Sequence, residues 1–191
     1  DSCGPQVMTS AIPRVSVILP ARDAEKTLVM AIESILGQTE RNFELLVVDD
    51  GSTDASLRIL QEFAELDGRI RVLSTVNPGI VEALNLGLAE ARAPYLARMD
   101  ADDVSLPERL VLQCDYLDAN PKVGLVSCRV EHWNEDAELR AGYEAYVEWT
   151  NQVLDDTDLR LRRFVESPFA HPSVVYRKNL VERFGGYREG S

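Results

Sequence analysis

The sequence predicts an α/β domain with a mostly parallel central sheet and crossover helices. Short β-branched apolar runs alternate with longer stretches in which apolar residues recur at three and four spacing. Each apolar run gives way to polar or turn residues, as strands do when loops carry their ends. At 191 residues and 45% hydrophobic composition, the chain can bury one sizeable core.

Residues 1 to 13 have no periodicity and read as a tail or expression remnant; 14 to 191 read as one domain. Four strands follow: Val15 to Leu19, Phe43 to Val48, Ile70 to Leu73 and Tyr95 to Met99. Between them, Ala24 to Leu36, Asp54 to Leu66 and Ile80 to Ala91 carry helical spacing, as in Leu28, Ile32, Ile35 and Leu36. Ser105-Leu106-Pro107-Glu108 fits a capping box, with a helix running to about Asn120. Pro121 stops it, and Val123 to Cys128 reads as a fifth strand. Glu131 to Glu166 is expected to add a mixed strand and helix layer.

A formal net charge of −12 argues against a nucleic acid partner, because gripping a phosphate backbone needs clustered Lys and Arg. An anionic small ligand would need local correction by a cation or a few basic groups. Cys3, Cys114 and Cys128 are odd in number and widely spaced, so neither a disulfide framework nor a zinc site is indicated. Idle thiols in a reducing cytosol are expected. No apolar run reaches bilayer-spanning length.

In open α/β sheets ligands sit beyond the carboxyl ends of the strands. Strand one ends in Pro20-Ala21-Arg22-Asp23-Ala24-Glu25, strand two in Asp49-Asp50-Gly51-Ser52-Thr53-Asp54, and strand four in Asp100-Ala101-Asp102-Asp103. The first turn lacks G-x-G-x-x-G, which disfavours a dinucleotide dehydrogenase. Asp100, Asp102 and Asp103 repel one another unless a cation joins them, and a hard divalent ion, Mn2+ or Mg2+, takes carboxylate and phosphate oxygens together. The bland reading, an aspartate favouring the next helix's N-terminus, explains one of the three. For Asp49 and Asp50 ordinary turn chemistry competes more evenly with a role accepting hydrogen bonds from a base or ribose.

The runs VSVILPARDAEKTLVMAIESILGQT, FELLVVDDGSTD and NPGIVEALNLGLAEARAPYLARMDADDVSLPERL resemble, in order and spacing, the inverting glycosyltransferases of family 2, over about Val15 to Val126. Phe169-Ala170-His171-Pro172-Ser173 and Gly185-Gly186-Tyr187-Arg188 resemble the family's segment near the acceptor. The resemblance implies the GT-A fold, a Rossmann-like three-layer sandwich. It further implies a nucleotide-diphosphosugar donor, a UDP-sugar, and an acceptor hydroxyl on a sugar, lipid-linked or polysaccharide molecule. Pro20, Ala21, Arg22 and Glu25 look like the first nucleotide-contacting loop, and Asp50 like the base- or ribose-binding aspartate. Asp100 and Asp102 look like the D-x-D motif, assisted by Asp103. Arg22-Asp23 stands where the family often has Tyr-Asn, so Arg22 is a candidate to stack on the base or reach phosphate.

The implied mechanism is inversion: a carboxylate deprotonates the acceptor hydroxyl, which attacks the anomeric carbon as the metal stabilises the leaving diphosphate. The family's base follows the Gly-Gly-Tyr segment, so the expectation is that it lies beyond Ser191 in a longer chain, with Glu189 a solvated loop residue. His171 reads equally as a ligand contact or a structural residue. The cytoplasm, or the inner face of a membrane, is the expected location. Two alternatives stand beside this reading. One is a nucleotide-sugar-binding fragment without turnover. The other is a haloacid dehalogenase-like phosphohydrolase, in which Asp100 of D-x-D-x-[TV] would be the nucleophile.

Overall fold

The computed structural model describes residues 12–132, 137–162 and 167–188. Most of the tail and Glu189 lie outside them. The chain runs β1 (Val15–Ala21), α1 (Leu28–Leu36), β2 (Phe43–Asp49), α2 (Ser56–Leu66), β3 (Ile70–Ser74), α3 (Ile80–Glu90) and β4 (Tyr95–Arg98). It continues through α4 (Arg109–Ala119), β5 (Leu125–Ser127), α5 (Ala137–Asn151), α6 (Asp156–Arg162), a 3-10 turn at His171–Ser173, β6 (Val174–Arg177) and α7 (Lys178–Phe184).

The sheet order is β3-β2-β1-β4-β6-β5. The first four strands are mutually parallel, while β6 runs antiparallel to both β4 and β5. All residues of β1 and β2 are buried, which is why they read as continuous apolar runs. Alternation divides their side chains between two layers. Val15, Val17, Leu19, Leu45 and Val47 pack with Ile32 and Ile35 of α1, Leu60 of α2 and Leu110 of α4. Ile18, Leu46 and Leu96 pack with Leu84 and Leu88 of α3, with Val181 of α7 against them. Two cores on opposite faces make the three-layer α/β sandwich that the sequence implies.

Close approach of α3 to the sheet depends on Gly87. A Cβ there would stand 2.5 Å from Ile18 Cγ2. On the same helix Asn85 donates from Nδ2 to the Tyr187 carbonyl at 2.9 Å and accepts from the Tyr187 N–H at 2.9 Å, fastening the Gly-Gly-Tyr segment to α3. Asn151 of α5 makes the same paired contact with the Val130 main chain, at 2.7 and 2.9 Å.

Several expectations are corrected. Helix α1 begins at Leu28 rather than Ala24, because Ala24 to Thr27 form a turn that starts from the left-handed Asp23 (φ 48°). Helix α2 begins at Ser56, whose N–H donates to Asp54 Oδ1 at 2.8 Å in a local turn. The capping box does not form. Ser105 Oγ instead accepts from Gln38 Nε2 at 3.2 Å, and Gln38 Oε1 accepts the Leu110 N–H at 3.1 Å, so a side chain from the end of α1 caps α4. The expected mixed layer between 131 and 166 holds two helices, α5 and α6, and no strand among its described residues. The strand Val174–Arg177 was not foreseen.

Candidate active site at the switch between β1 and β4

From β1 the chain steps outward to β2 and β3, then returns to the other side of β1 to form β4. The loops leaving β1 and β4 therefore part in opposite directions and open a crevice, the place where open α/β sheets bind ligands.

The β1 wall of this crevice is locked to the loop after β2. Asp23 Oδ1 accepts from the Thr53 N–H at 2.7 Å, and its own N–H donates to Ser52 Oγ at 3.1 Å. The Thr53 main-chain donor, aided by the Thr53 hydroxyl, holds the Asp23 carboxyl below its ordinary pKa. Glu25 Oε2 accepts from the Ala55 N–H at the start of α2, and Asp54 Oδ2 accepts from the Glu25 N–H. Pro20 and Ala21 are buried and shape the wall; Arg22 is exposed.

Asp50 is 5% exposed. Its Oδ1 accepts from Thr75 Oγ1 at 2.9 Å and from the Gly79 N–H at 2.7 Å, which ties the loop after β3 to the end of β2. Gly79 (φ 159°) and Gly51 (φ 77°) give the two loops backbone shapes that side chains disfavour. Asp49, 4% exposed, keeps one buried oxygen without a hydrogen-bond partner.

Beyond β4, Asp100, Asp102 and Asp103 each present a carboxylate oxygen within 4.8 Å of the others. Burial pushes the Asp103 carboxyl up to about 6, and repulsion from Asp100 and Asp102 adds to it; Arg98 and Arg109 oppose the rise. Three hard oxygen donors at this spacing, one of them resisting ionisation in the cation-free state, suit a small divalent ion. The far end of the acidic loop is pinned by Gln38, which also donates to the Leu106 carbonyl at 2.8 Å, and by the Thr39 N–H on the Pro107 carbonyl at 2.8 Å.

Arg98 is the residue that the sequence reading passed over. Its side chain is 6% exposed and its Nη1 donates to Asp100 Oδ1. The signal was present: a charged residue inside an apolar run, with core residues Leu96, Ala97 and Met99 beside it, needs a buried partner. Arg109 at the start of α4 donates from Nη2 to the Arg98 carbonyl at 2.8 Å. His171 stands edge-on to Tyr187 with ring centroids 5.8 Å apart. Its surroundings, and then the Arg98 charge, hold its pKa below the ordinary imidazole value. An Asp100 ion-paired in this way is a poor match for the free nucleophile of a phosphohydrolase.

The glycosyl transferase family 2 model matches residues 16–185. An uncharacterized glycosyltransferase of Haemophilus influenzae is 33% identical over 171 residues, covering 88% of this chain and 53% of the relative. The glycosyltransferase EpsE of Bacillus subtilis, whose assignment is provisional, is 32% identical over 92% of this chain and 60% of its own length. The chain thus spans between half and two thirds of the length of these relatives. Among solved structures, a mannosyltransferase from Pyrobaculum calidifontis in complex with GDP-Man and Mn2+ superposes with a TM-score of 0.69 at 24% identity, over 92% of this chain and 48% of that one. TarS of S. aureus in complex with UDP gives 0.69 at 20% identity, over 90% and 49%. These two likenesses establish the shared GT-A fold. With a family match across nearly all of the described residues, the chain belongs to glycosyl transferase family 2.

Proposed function

We propose that this chain is the donor-binding part of a glycosyltransferase that moves a sugar, with inversion, from a nucleotide-diphosphate donor to an acceptor hydroxyl. The donor is a UDP-sugar, the acceptor a sugar, lipid-linked or polysaccharide molecule, and the setting glycan, polysaccharide or lipopolysaccharide assembly at the cytoplasmic face of a membrane. The observation that carries the reading is the convergence of Asp100, Asp102 and Asp103 at the crevice between β1 and β4. Family membership and the TarS complex with UDP support the donor class. No described helix is long and apolar enough to cross a membrane.

In this reading Asp102 and Asp103 hold Mn2+ or Mg2+ with Asp100. When bound, the ion neutralises the diphosphate as the sugar leaves. Asp50 keeps acceptor capacity beyond its bonds to Thr75 and Gly79, enough to receive a hydrogen bond from the base or ribose. Arg22 is exposed at the crevice mouth and can stack on the base or meet a phosphate. Pro20 and Ala21 shape the β1 wall, and Glu25 serves by fixing the loop that carries Arg22.

Calorimetric titration with UDP tests this. Affinity should rise with Mn2+, fall on chelation, and fall at least tenfold in Asp102→Ala, as loss of one of a few ligands to the ion requires. Equal affinity in all three conditions would refute the site.

A further inference from the structure

We propose that Arg98 is a positioning residue for the cation-binding carboxylates, acting through Asp100. The inference rests on the cation site described above and deepens it. Arg98 ends β4, a central strand, with its side chain 94% removed from solvent. A guanidinium there is expensive to bury, and this one also leaves its Nε without a partner. What it gains is the ion pair to Asp100 Oδ1, two residues ahead. The main chain beneath is fixed as well, because Arg109 Nη2 donates to the Arg98 carbonyl and, at 3.4 Å, to the Val174 carbonyl of the neighbouring strand. Asp100 is thereby held at its carboxylate by a side chain whose own main chain is fixed, while still offering an oxygen within 4.8 Å of Asp102 and Asp103.

Charge and geometry make opposite claims about this arginine. As a charge alone it repels a cation, so its removal would tighten cation binding. As a support it keeps Asp100 turned to the shared position, so its removal loosens binding in spite of the more negative site. Partners that orient metal ligands commonly change affinity by about 10- to 100-fold when removed. Two negative charges also remain in surplus of what one Arg can neutralise, so the three aspartates and Arg98 carry a net −2, matched by a single divalent ion.

The test is Mn2+ affinity of the nucleotide-free chain at fixed pH, measured by calorimetry, with circular dichroism reporting the fold. Arg98→Met should weaken Mn2+ about tenfold, Arg98→Lys should restore part of the loss, and Arg98→Met combined with Asp100→Asn should bind no worse than Asp100→Asn alone. Equal or tighter binding in Arg98→Met, or additive losses in the double variant, would overturn the proposal. Should Arg98→Met not fold, Arg98→Lys decides alone: a severalfold loss supports positioning, unchanged affinity refutes it. A wild-type chain that takes up no Mn2+, just like Asp102→Ala, would instead remove the cation site on which the inference rests.

Discussion

Glu44 exposes 2% of its side chain in β2 and serves as the acceptor for four donors. Ser16 Oγ reaches it at 2.6 Å, the Arg92 N–H at 2.7 Å, Arg92 Nε at 2.8 Å and Arg71 Nη1 at 3.3 Å. Burial alone would raise its pKa, but the bonds from Ser16 and Arg92 outweigh burial and hold the carboxyl below its ordinary 4.5. The stabilisation is therefore complete above pH 4.5 and is lost as pH falls through the lower folded value. Glu44→Ala should cost about 3–5 kcal/mol at pH 7 in urea unfolding, and the gap to wild type should narrow in acid. Asp103 behaves in the opposite sense. Its carboxyl sits at about 6, above its ordinary 3.8, so the cation-free fold loses stability as pH rises from 3.8 to about 6, and the loss is complete above that. Asp103→Asn should raise the melting temperature of the chelated protein at pH 7.5, by about 1 kcal/mol of stability after solvent screening, and give no gain at pH 4. A melting curve at each pH reads both.

At the scale of elements, the packing of α3 against β1 sets one tolerance that is easy to measure. Gly87→Ala forces a methyl group against Ile18 Cγ2 and should destabilise by about 1–3 kcal/mol, with equilibrium denaturation as the readout. Strands β1 and β2 were legible because burial on both faces writes itself as a long, mostly apolar run, β3 and β4 as short runs ended by polar or turn residues, and α1 to α3 because one buried stripe writes itself as three-and-four spacing. The start of α4 was not legible. Ser105 and Glu108 carry a local capping pattern, yet Gln38, 67 residues earlier, takes the Ser105 hydroxyl and supplies the cap. Strand β6 is four residues long and enters from a proline-containing 3-10 turn, so no window of local periodicity could reveal it. Arg98 was hidden for the reverse reason: its partner is two residues away, but its meaning depends on being buried.

For the whole molecule, the acidic residues after β1, β2 and β4 can be read together because the topology places those three strands side by side. The contact between Asn85 and Tyr187 joins residues 102 apart and ties the last described segment to α3. Asn85→Ala should leave the sheet folded but expose the segment around Gly185 to limited proteolysis, a difference visible on a gel at early times. The antiparallel insertion of β6 has a temporal consequence. β4 is complete at Arg98, but the strand that satisfies its outer edge begins only at Val174. At synthesis rates of about 5–20 residues per second, that edge waits on the order of 4–15 s on the ribosome with its amides and carbonyls open. A nascent polypeptide of this design is thus most vulnerable to sticking to its neighbours in mid-translation, and chaperone occupancy should peak there and drop once β6 has left the exit tunnel.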